Sequence, residues 1–225
     1  MDNPAIFKAE RADGYDGFIK DWVPQYAYLL QLLPKLLGKA PDAHSNQLLV
    51  VGFGTGNEIK AMVDAKLAWK ITGVDPSPDM VRQAREKLSA YPNIRLLDGR
   101  VGDLEPGEKF DAATLILVLH FIPDDGAKLD LLQHLAKRLK PGAPLILMDI
   151  FGTSQEMKHN LAILRSMLPP DLDIPTVNNR LQNLPQRIQF ISENRLIDLM
   201  LEAGFLAPVR FFQMAIYGAW MARKK

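Results

Sequence analysis

Residues 48–58 read Leu48-Leu49-Val50-Val51-Gly52-Phe53-Gly54-Thr55-Gly56-Asn57-Glu58. The stretch begins as an apolar run of strand length and passes into three glycines at alternate positions. Because glycine has no Cβ, the chain can turn sharply there and a ligand can lie against bare backbone. Helical spacing of apolar residues follows, and a helix N-terminus offers unpaired N–H groups and a positive dipole end. The stretch therefore predicts a strand, a turn and a helix, with a ligand site at the turn.

The spacing of the glycines narrows the choice of ligand. It is G-x-G-x-G, whereas dinucleotide-binding turns follow G-x-G-x-x-G and phosphate-cradling loops follow G-x-x-x-x-G-K-[ST]. No lysine directly follows the last glycine to meet a triphosphate. A second apolar run ends at Asp75, and a carboxylate at the end of the second strand is placed to accept hydrogen bonds from both hydroxyls of a ribose. The pattern indicates a nucleoside that has no phosphate chain.

These features resemble the class I S-adenosylmethionine (SAM) methyltransferases. The resemblance runs from about Leu48 to about Ile150 and is carried by VVGFGTGNE, ITGVDPSPDMVRQAR, FDAATLILVLHFIPDD and LKPGAPLIL. It implies a Rossmann-like α/β fold with a seven-stranded, mostly parallel sheet, an antiparallel C-terminal hairpin and an N-terminal helical lid. The alternative is a Rossmann-like domain that binds another nucleotide, or none.

The length of 225 residues suits one domain. We expect a single methyltransferase domain over 1–225, made of a helical lid (1–40), a SAM-binding core (46–150), a substrate-side insertion (151–192) and a last helix with a hairpin (193–225). Apolar residues recur at helical steps through the lid, and prolines divide it into two predicted helices. The insertion contains four prolines after its first helix, so we expect it to be the least regular part of the chain and a place for substrate specificity.

Composition limits the classes of function. The formal net charge of +1 gives no basic footprint for nucleic acid. The sequence has no cysteine, which excludes disulfides and thiolate metal sites and is compatible with a reducing cytoplasm. No apolar run reaches the roughly 18 residues of a membrane span, and no spacing of histidines suggests a metal site. We expect a cytoplasmic protein that acts on a small molecule rather than on nucleic acid or a membrane, with a homodimer as a possible assembly.

The resemblance implies where the cofactor binds. The glycines provide the backbone approach and Asp75 meets the ribose, while the adenine lies between the turn after Asp75 and a loop in which Arg100 stands where an acid is common. Asp98 and Asp103 are the alternatives for that acid, and Met80 also suits the core of the protein. The predicted cofactor-binding residues are Gly52, Phe53, Gly54, Gly56, Asp75, Pro76, Met80, Gly99, Arg100, Val101, Ile116 and Leu117.

The predicted end of the fourth strand carries His120. It is either a general base for a hydroxyl or phenol acceptor, since histidine titrates near neutral pH, or a side chain that braces the loop or the methionine moiety. From the lid, Tyr15, Trp22 and Tyr28 are predicted to face the substrate, with core packing as the alternative. Arg180 or Arg187 is predicted to meet an anionic substrate group, with a solvated surface charge as the alternative for each.

Stretches outside the core are also similar to the carboxy-SAM synthase family, which acts in tRNA wobble-uridine modification. They are YDGFIKDWVPQY, GRVGDL, LILVLHFIPDD and FISENRLIDLMLEAGFLAPVRFFQMAIYGAW. That family uses an arginine to hold the extra carboxylate, and Arg180 is the residue expected near that position. Two residues depart from the pattern. Val50 stands where an acidic residue usually meets the methionine amino group, so that contact is lost or moved, and Arg100 replaces the acid of the adenine loop.

The sequence therefore predicts a SAM-dependent methyltransferase that transfers a methyl group to an unidentified small-molecule acceptor. The alternatives are an enzyme that modifies SAM itself, in the manner of the carboxy-SAM synthases, and a non-catalytic SAM-binding protein. In each case the expected cofactor or ligand is SAM.

Overall fold

The computed structural model describes residues 13–38 and 46–225. The first part of the predicted lid, residues 1–12, and residues 39–45 after it lie outside the described residues. The α-helices are α1 (Tyr15–Trp22), α2 (Tyr26–Leu37), α3 (Asn57–Asp64), α4 (Pro78–Lys87), α5 (Ala127–Arg138), α6 (Ser154–Met167), α7 (Ile174–Arg187) and α8 (Glu193–Glu202). The strands are β1 (Gln47–Val51), β2 (Lys70–Asp75), β3 (Ile94–Asp98), β4 (Ala112–Ile116), β5 (Pro144–Ile150), β6 (Val209–Met214) and β7 (Tyr217–Arg223).

The strands form one seven-stranded sheet in the order β3-β2-β1-β4-β5-β7-β6. β7 runs antiparallel to both of its neighbours, and the other pairs are parallel. This arrangement confirms the predicted Rossmann-like α/β fold with an antiparallel C-terminal hairpin. The strand order reverses between β1 and β4, and open α/β sheets bind ligands at the carboxyl ends of the strands beside such a point.

Both faces of the sheet are buried, which is why its central strands are apolar at nearly every position. On β4, Ala112 and Ile116 belong to one core and Ala113 and Leu115 to the other, as the alternation of a strand requires. The first core is covered by α1–α4, α6 and α7, and the second by α5 and α8. The lid helices α1 and α2 thus pack on the face that also carries α6 and α7.

The two helices predicted within the lid are present, and Pro24 lies in the turn between them. The sequence also predicts a break in the helix at Pro34, but the helix continues through it. Pro34 lies in the last turn of α2, where the missing N–H removes one hydrogen bond near the end of the helix. Every helix within the described ranges is too short or too polar to cross a membrane.

The first helix predicted in the insertion is present, but the prediction that the rest of the insertion is irregular is wrong. Residues 154–187 form two helices of 14 residues each, α6 and α7. Thr153 and Glu156 form a capping box at the start of α6, and the Asp173 carboxylate accepts the N–H of Thr176 at the start of α7. Proline is compatible with the first turn of a helix, because the N–H that it lacks would have no helical partner there. The prolines of the insertion therefore lie near the starts and ends of helices.

Candidate cofactor and substrate site

The glycine turn after β1 has the geometry that its sequence predicts. Gly52, Gly54 and Gly56 have φ values of 69°, 53° and 86°, a region that side chains with a Cβ rarely adopt. A Cβ added to Gly52 would lie 2.4 Å from Cγ2 of Val118. Phe53 is buried and its ring packs over Gly73 of β2, since a Cβ there would lie 2.6 Å from the ring. The turn therefore presents backbone, and its one large side chain belongs to the packing beneath it.

Asp75 ties the end of β2 to this turn. Its Oδ2 accepts a hydrogen bond of 2.8 Å from the Gly54 N–H, and its Oδ1 accepts one of 2.9 Å from the Ser77 N–H. Burial raises the pKa of the Asp75 carboxyl, and the two backbone donors oppose that shift. Each carboxylate oxygen keeps a further lone pair, so the same group fixes the turn and can still accept a ribose hydroxyl.

The predicted adenine loop follows β3. Gly99 has a φ of 154°, and the Arg100 N–H donates to Oδ2 of Asp103 at 2.8 Å. Val101 and Met80 are buried, while Pro76 is exposed beside the end of β2. Ser77 caps α4 by accepting the N–H of Met80, and Pro78 is the first helical residue.

A small cavity lies beside the glycine turn. Its lining comprises Tyr15, Tyr26, Gly52, Phe53, Gly54, Thr55, Asn57, Glu58, Ile116 and Leu117. Glu58 is only 4% exposed, and the Thr114 hydroxyl lies 3.5 Å from its Oε1. Burial raises the pKa of Glu58 to about 8; Thr114 opposes the shift and Asp75 adds to it. No role for Glu58 was predicted from the sequence, although an acid in the first helical turn after a glycine turn is a signal.

A larger cavity adjoins the small one, since Tyr15 and Leu117 line both. It encloses about 650 Å³ of space free of protein atoms, part of it open to solvent. Arg180 of α7 lies with its guanidinium carbon 4.0 Å from the ring centroid of Phe18 and 4.6 Å from that of Trp22. The other lining residues are Ile19, Val23, His120, Phe121, Ile150, Leu164, Leu181, Leu184, Ile188 and Tyr217.

A buried pair, His120 and Asp149, borders the larger cavity. Nδ1 of His120 lies 2.6 Å from Oδ1 of Asp149, whose oxygens also accept the N–H groups of Leu119 at 2.6 Å and Ile150 at 2.7 Å. A carboxylate can only accept, so Nδ1 of the neutral ring carries the proton and Nε2 is the acceptor. An acid in the apolar run of β5 is the signal that identifies Asp149, and the sequence analysis did not use it.

Lys128 holds the loop that carries His120. This lysine of α5 is fully buried, and its Nζ donates to the carbonyl oxygens of Leu119 at 2.5 Å, Ile122 at 2.7 Å and Gln189 at 2.7 Å. Burial lowers the pKa of Lys128 to about 8, while the carboxylates of Asp149 and Asp124 favour the charged form. Lys128 therefore joins the turn after β4 to the segment between α7 and α8.

The structure separates the predicted substrate residues. Tyr15, Trp22 and Arg180 line the larger cavity together with His120. Tyr28 does not: it is 49% exposed and lines neither cavity, because its position on α2 turns it to the outer face of the lid. Tyr217 of β7 takes a place in the wall that the sequence analysis did not predict, and its hydroxyl donates to the Trp22 carbonyl at 2.9 Å.

Within the described residues, no group of three or more histidine, aspartate and glutamate side chains is arranged to hold a metal ion. The groups that can contact a ligand at the small cavity are therefore the backbone of the glycine turn and two buried carboxyls. At the larger cavity they are a histidine, an arginine and aromatic rings.

Comparisons with known proteins agree with this geometry. Residues 49–145 match a family model described as a methyltransferase domain. The trans-aconitate 2-methyltransferase of Afipia carboxidovorans is 31% identical over 111 residues, which cover 48% of this chain and 39% of that protein. The carboxy-S-adenosyl-L-methionine synthase of Aeromonas salmonicida is 25% identical over 229 residues, which cover 97% of this chain and 90% of that protein.

The fold has solved counterparts. Human N-acetylserotonin methyltransferase, solved in complex with SAM, matches with a TM-score of 0.65 at 22% identity, over 96% of this chain and 56% of that one. This chain thus spans little more than half of that structure and 39% of the Afipia relative. The chain thus has the fold of the class I methyltransferases, and its residues 49–145 match the model of a methyltransferase domain.

Proposed function

We propose that this protein transfers the methyl group of SAM to a small-molecule acceptor. The observation that carries the proposal is the pair of adjoining cavities at the carboxyl ends of the strands. The small cavity has a polar wall beside the glycine turn and Asp75, which suits the cofactor. The larger cavity has aromatic and aliphatic walls with a few polar groups, which is typical of sites for small organic molecules.

Several features of the chain fit SAM. The glycine turn presents backbone without side chains at Gly52, Gly54 and Gly56, and Asp75 has free lone pairs at the ribose position. When bound, SAM supplies a methyl carbon that is already electrophilic because it is attached to a sulfonium. The residues of the chain then have to align the acceptor and exclude water, and positioning alone can supply much of the rate. Tyr15 lines both cavities and Trp22 lines the larger one, so these two aromatic residues suit both tasks.

For an acceptor with a hydroxyl or phenol, His120 is the group in the larger cavity that can take the proton. Its Nδ1–H donates to Asp149, which leaves Nε2 with a free lone pair in the neutral ring. Asp149 is itself fixed by two backbone N–H groups and therefore sets the orientation of the ring. The arrangement of base and orienting carboxylate supports a role for His120 as general base.

The experiment that tests the proposed function is calorimetric titration of the purified protein with SAM and with S-adenosylhomocysteine. We expect micromolar binding of both, with the product bound at least as tightly. Asp75→Asn should make the binding free energy of both ligands less favourable by about 1–3 kcal/mol, because hydrogen bonds to a charged group are lost. Asp79→Asn removes the same charge from the neighbouring helix and should leave both affinities within about twofold. Failure of both ligands to bind the wild type would overturn the proposed function.

A second candidate function is the modification of SAM itself. Two observations favour it: Arg180 lies in the larger cavity over two aromatic rings, and the Aeromonas carboxy-SAM synthase aligns over 97% of this chain. An arginine in that place suits a carboxylate, which it can bind with two parallel hydrogen bonds.

Mass spectrometry of the ligand carried through purification separates the two functions. A nucleoside heavier than SAM by one carboxyl group, retained by the wild type and lost from Arg180→Gln, is the result expected for the second candidate. SAM or S-adenosylhomocysteine alone, retained by both proteins, would exclude it and leave methyl transfer.

A further inference from the structure

Glu58 is a buried acid with an unused oxygen. It lies in the first turn of α3, is 4% exposed and lines the small cavity. The Thr114 hydroxyl is 3.5 Å from Oε1, whereas Oε2 has no hydrogen-bond partner among residues 13–38 and 46–225. Buried polar atoms in folded proteins nearly always have a partner, and leaving a carboxylate oxygen without one is costly. The site therefore fits a ligand that brings a donor to Oε2.

The groups around Glu58 are acids and hydroxyls. Asp75 at the end of β2 acts on the Glu58 carboxyl through its charge, and Glu58 acts in the same way on the hydroxyls of Tyr15 from α1 and Tyr26 from α2. Thr114 approaches from β4. The surroundings thus supply no positive charge to the carboxyl, and the complementary ligand group is a cation that carries N–H donors.

SAM offers two cations, and they differ in chemistry. The α-ammonium of its methionine moiety has three N–H donors, while the sulfonium has none. An ionised carboxylate only accepts hydrogen bonds, so the partner that ionised Glu58 needs at Oε2 is a donor, which the ammonium provides and the sulfonium does not. Val50, where the acid for this ammonium stands in the related enzymes, is buried in the apolar core and has no polar group to offer. This inference rests on the proposed function and deepens it.

We propose that the Glu58 carboxylate binds the α-ammonium of SAM and of S-adenosylhomocysteine. Glu58 then takes over, from the first turn of α3, the contact that Val50 cannot make from β1. The carboxyl is neutral while the cavity is empty and becomes charged when the ammonium binds. The free protein therefore does not contain an unpaired buried charge, which would be costly.

The sign of the pH dependence follows. In the free protein the pKa of Glu58 lies near 8, far above its ordinary value, so the carboxyl is protonated at pH 6.5. The bound ammonium favours the ionised form and lowers that pKa, so binding releases a proton and tightens by up to about tenfold per pH unit between roughly pH 6 and 7.5. Of the facing groups, Tyr15 and Tyr26 have pKa values raised above the ordinary value of 10.0, so they stay protonated in this window. Asp75 is unchanged in every variant below, so its contribution to the pH dependence of binding is the same in all of them.

The test uses calorimetric titration of the whole protein with SAM, S-adenosylhomocysteine and 5′-methylthioadenosine, which lacks the amino-acid group. Glu58→Gln keeps the shape of the side chain and removes its charge. It should weaken SAM and S-adenosylhomocysteine by about 10- to 100-fold each and change methylthioadenosine by less than about twofold. Asp64→Asn, at the exposed end of the same helix, is the matched control and should change none of the three.

Three outcomes of the titrations of Glu58→Gln would overturn the inference. Equal weakening of all three ligands would mean that Glu58 only shapes the cavity, and weakening of SAM alone would assign the carboxylate to the sulfonium. Unchanged SAM affinity in Glu58→Gln would also refute it while leaving the proposed function standing, whereas no binding to the wild type would refute the proposed function.

A second measurement needs no variant and covers the case in which Glu58→Gln does not fold. Titrations of the wild type at pH 6.5 in buffers of different ionisation enthalpy report the protons released on binding. We expect about one proton released with S-adenosylhomocysteine and none with methylthioadenosine. Equal release with both ligands, or none with either, would overturn the inference.

Discussion

Lys128→Met should destabilise the protein by roughly 3–5 kcal/mol. The substitution keeps the length of the side chain but removes the donor that satisfies the carbonyl oxygens of Leu119, Ile122 and Gln189. A buried acceptor left without a donor loses its hydrogen bond and does not regain the one it made to water. Removing the buried ammonium relieves its own desolvation, which the lowered pKa of about 8 reflects, but three carbonyl groups are left without it.

Equilibrium unfolding in urea, followed by circular dichroism, measures this effect. Lys137→Met makes the same change on the exposed face of the same helix and should shift the free energy of unfolding by less than about 0.5 kcal/mol. Equal stability of the two variants would show that the loop after β4 does not depend on Lys128. A loss in Lys128→Met alone would establish that the loop carrying His120 is held by a lysine on another element.

The parts of the fold that the sequence predicts are those with local causes. Residues 48–58 give the strand, the turn and the helix because hydrophobic period and backbone freedom change within one short stretch. The caps at Ser77 and Ser192 are predictable for the same reason, since each accepts an N–H from a residue three positions on. The prolines of the insertion were misinterpreted because proline ends some helices and begins others, and the choice depends on the caps around it.

The candidate site was only partly predictable because its polar contacts join distant segments. Glu58 on α3 meets Thr114 on β4, and His120 meets Asp149 on the neighbouring strand β5. Which polar groups face one another is set by strand order and register, and local patterns do not contain that information. The prediction that Tyr28 faces the substrate was wrong for a related reason. Helical spacing locates an apolar face but does not say which aromatic residue beside it points outward.

His120→Gln should lower kcat by about 10²- to 10⁴-fold with a hydroxyl or phenol acceptor and leave SAM affinity within about twofold. Glutamine can still donate a hydrogen bond to Asp149, so the loop keeps its brace, but its amide cannot take a proton from the acceptor. The measurement is methyl transfer to the acceptor that emerges from a screen against radiolabelled SAM.

Asp149→Asn tests the role of the carboxylate that orients His120, separately from the role of His120 itself. Asparagine can donate to Nδ1, which would move the ring proton to Nε2 and leave the cavity facing a donor instead of a base. Because Asp149 also accepts the N–H groups of Leu119 and Ile150, this variant should lose both activity and stability, while His120→Gln should lose activity alone. If His120 only braces the loop, His120→Gln would leave kcat unchanged, because glutamine keeps the hydrogen bond to Asp149. Methyl transfer would then depend on positioning, with the acceptor losing its proton to water.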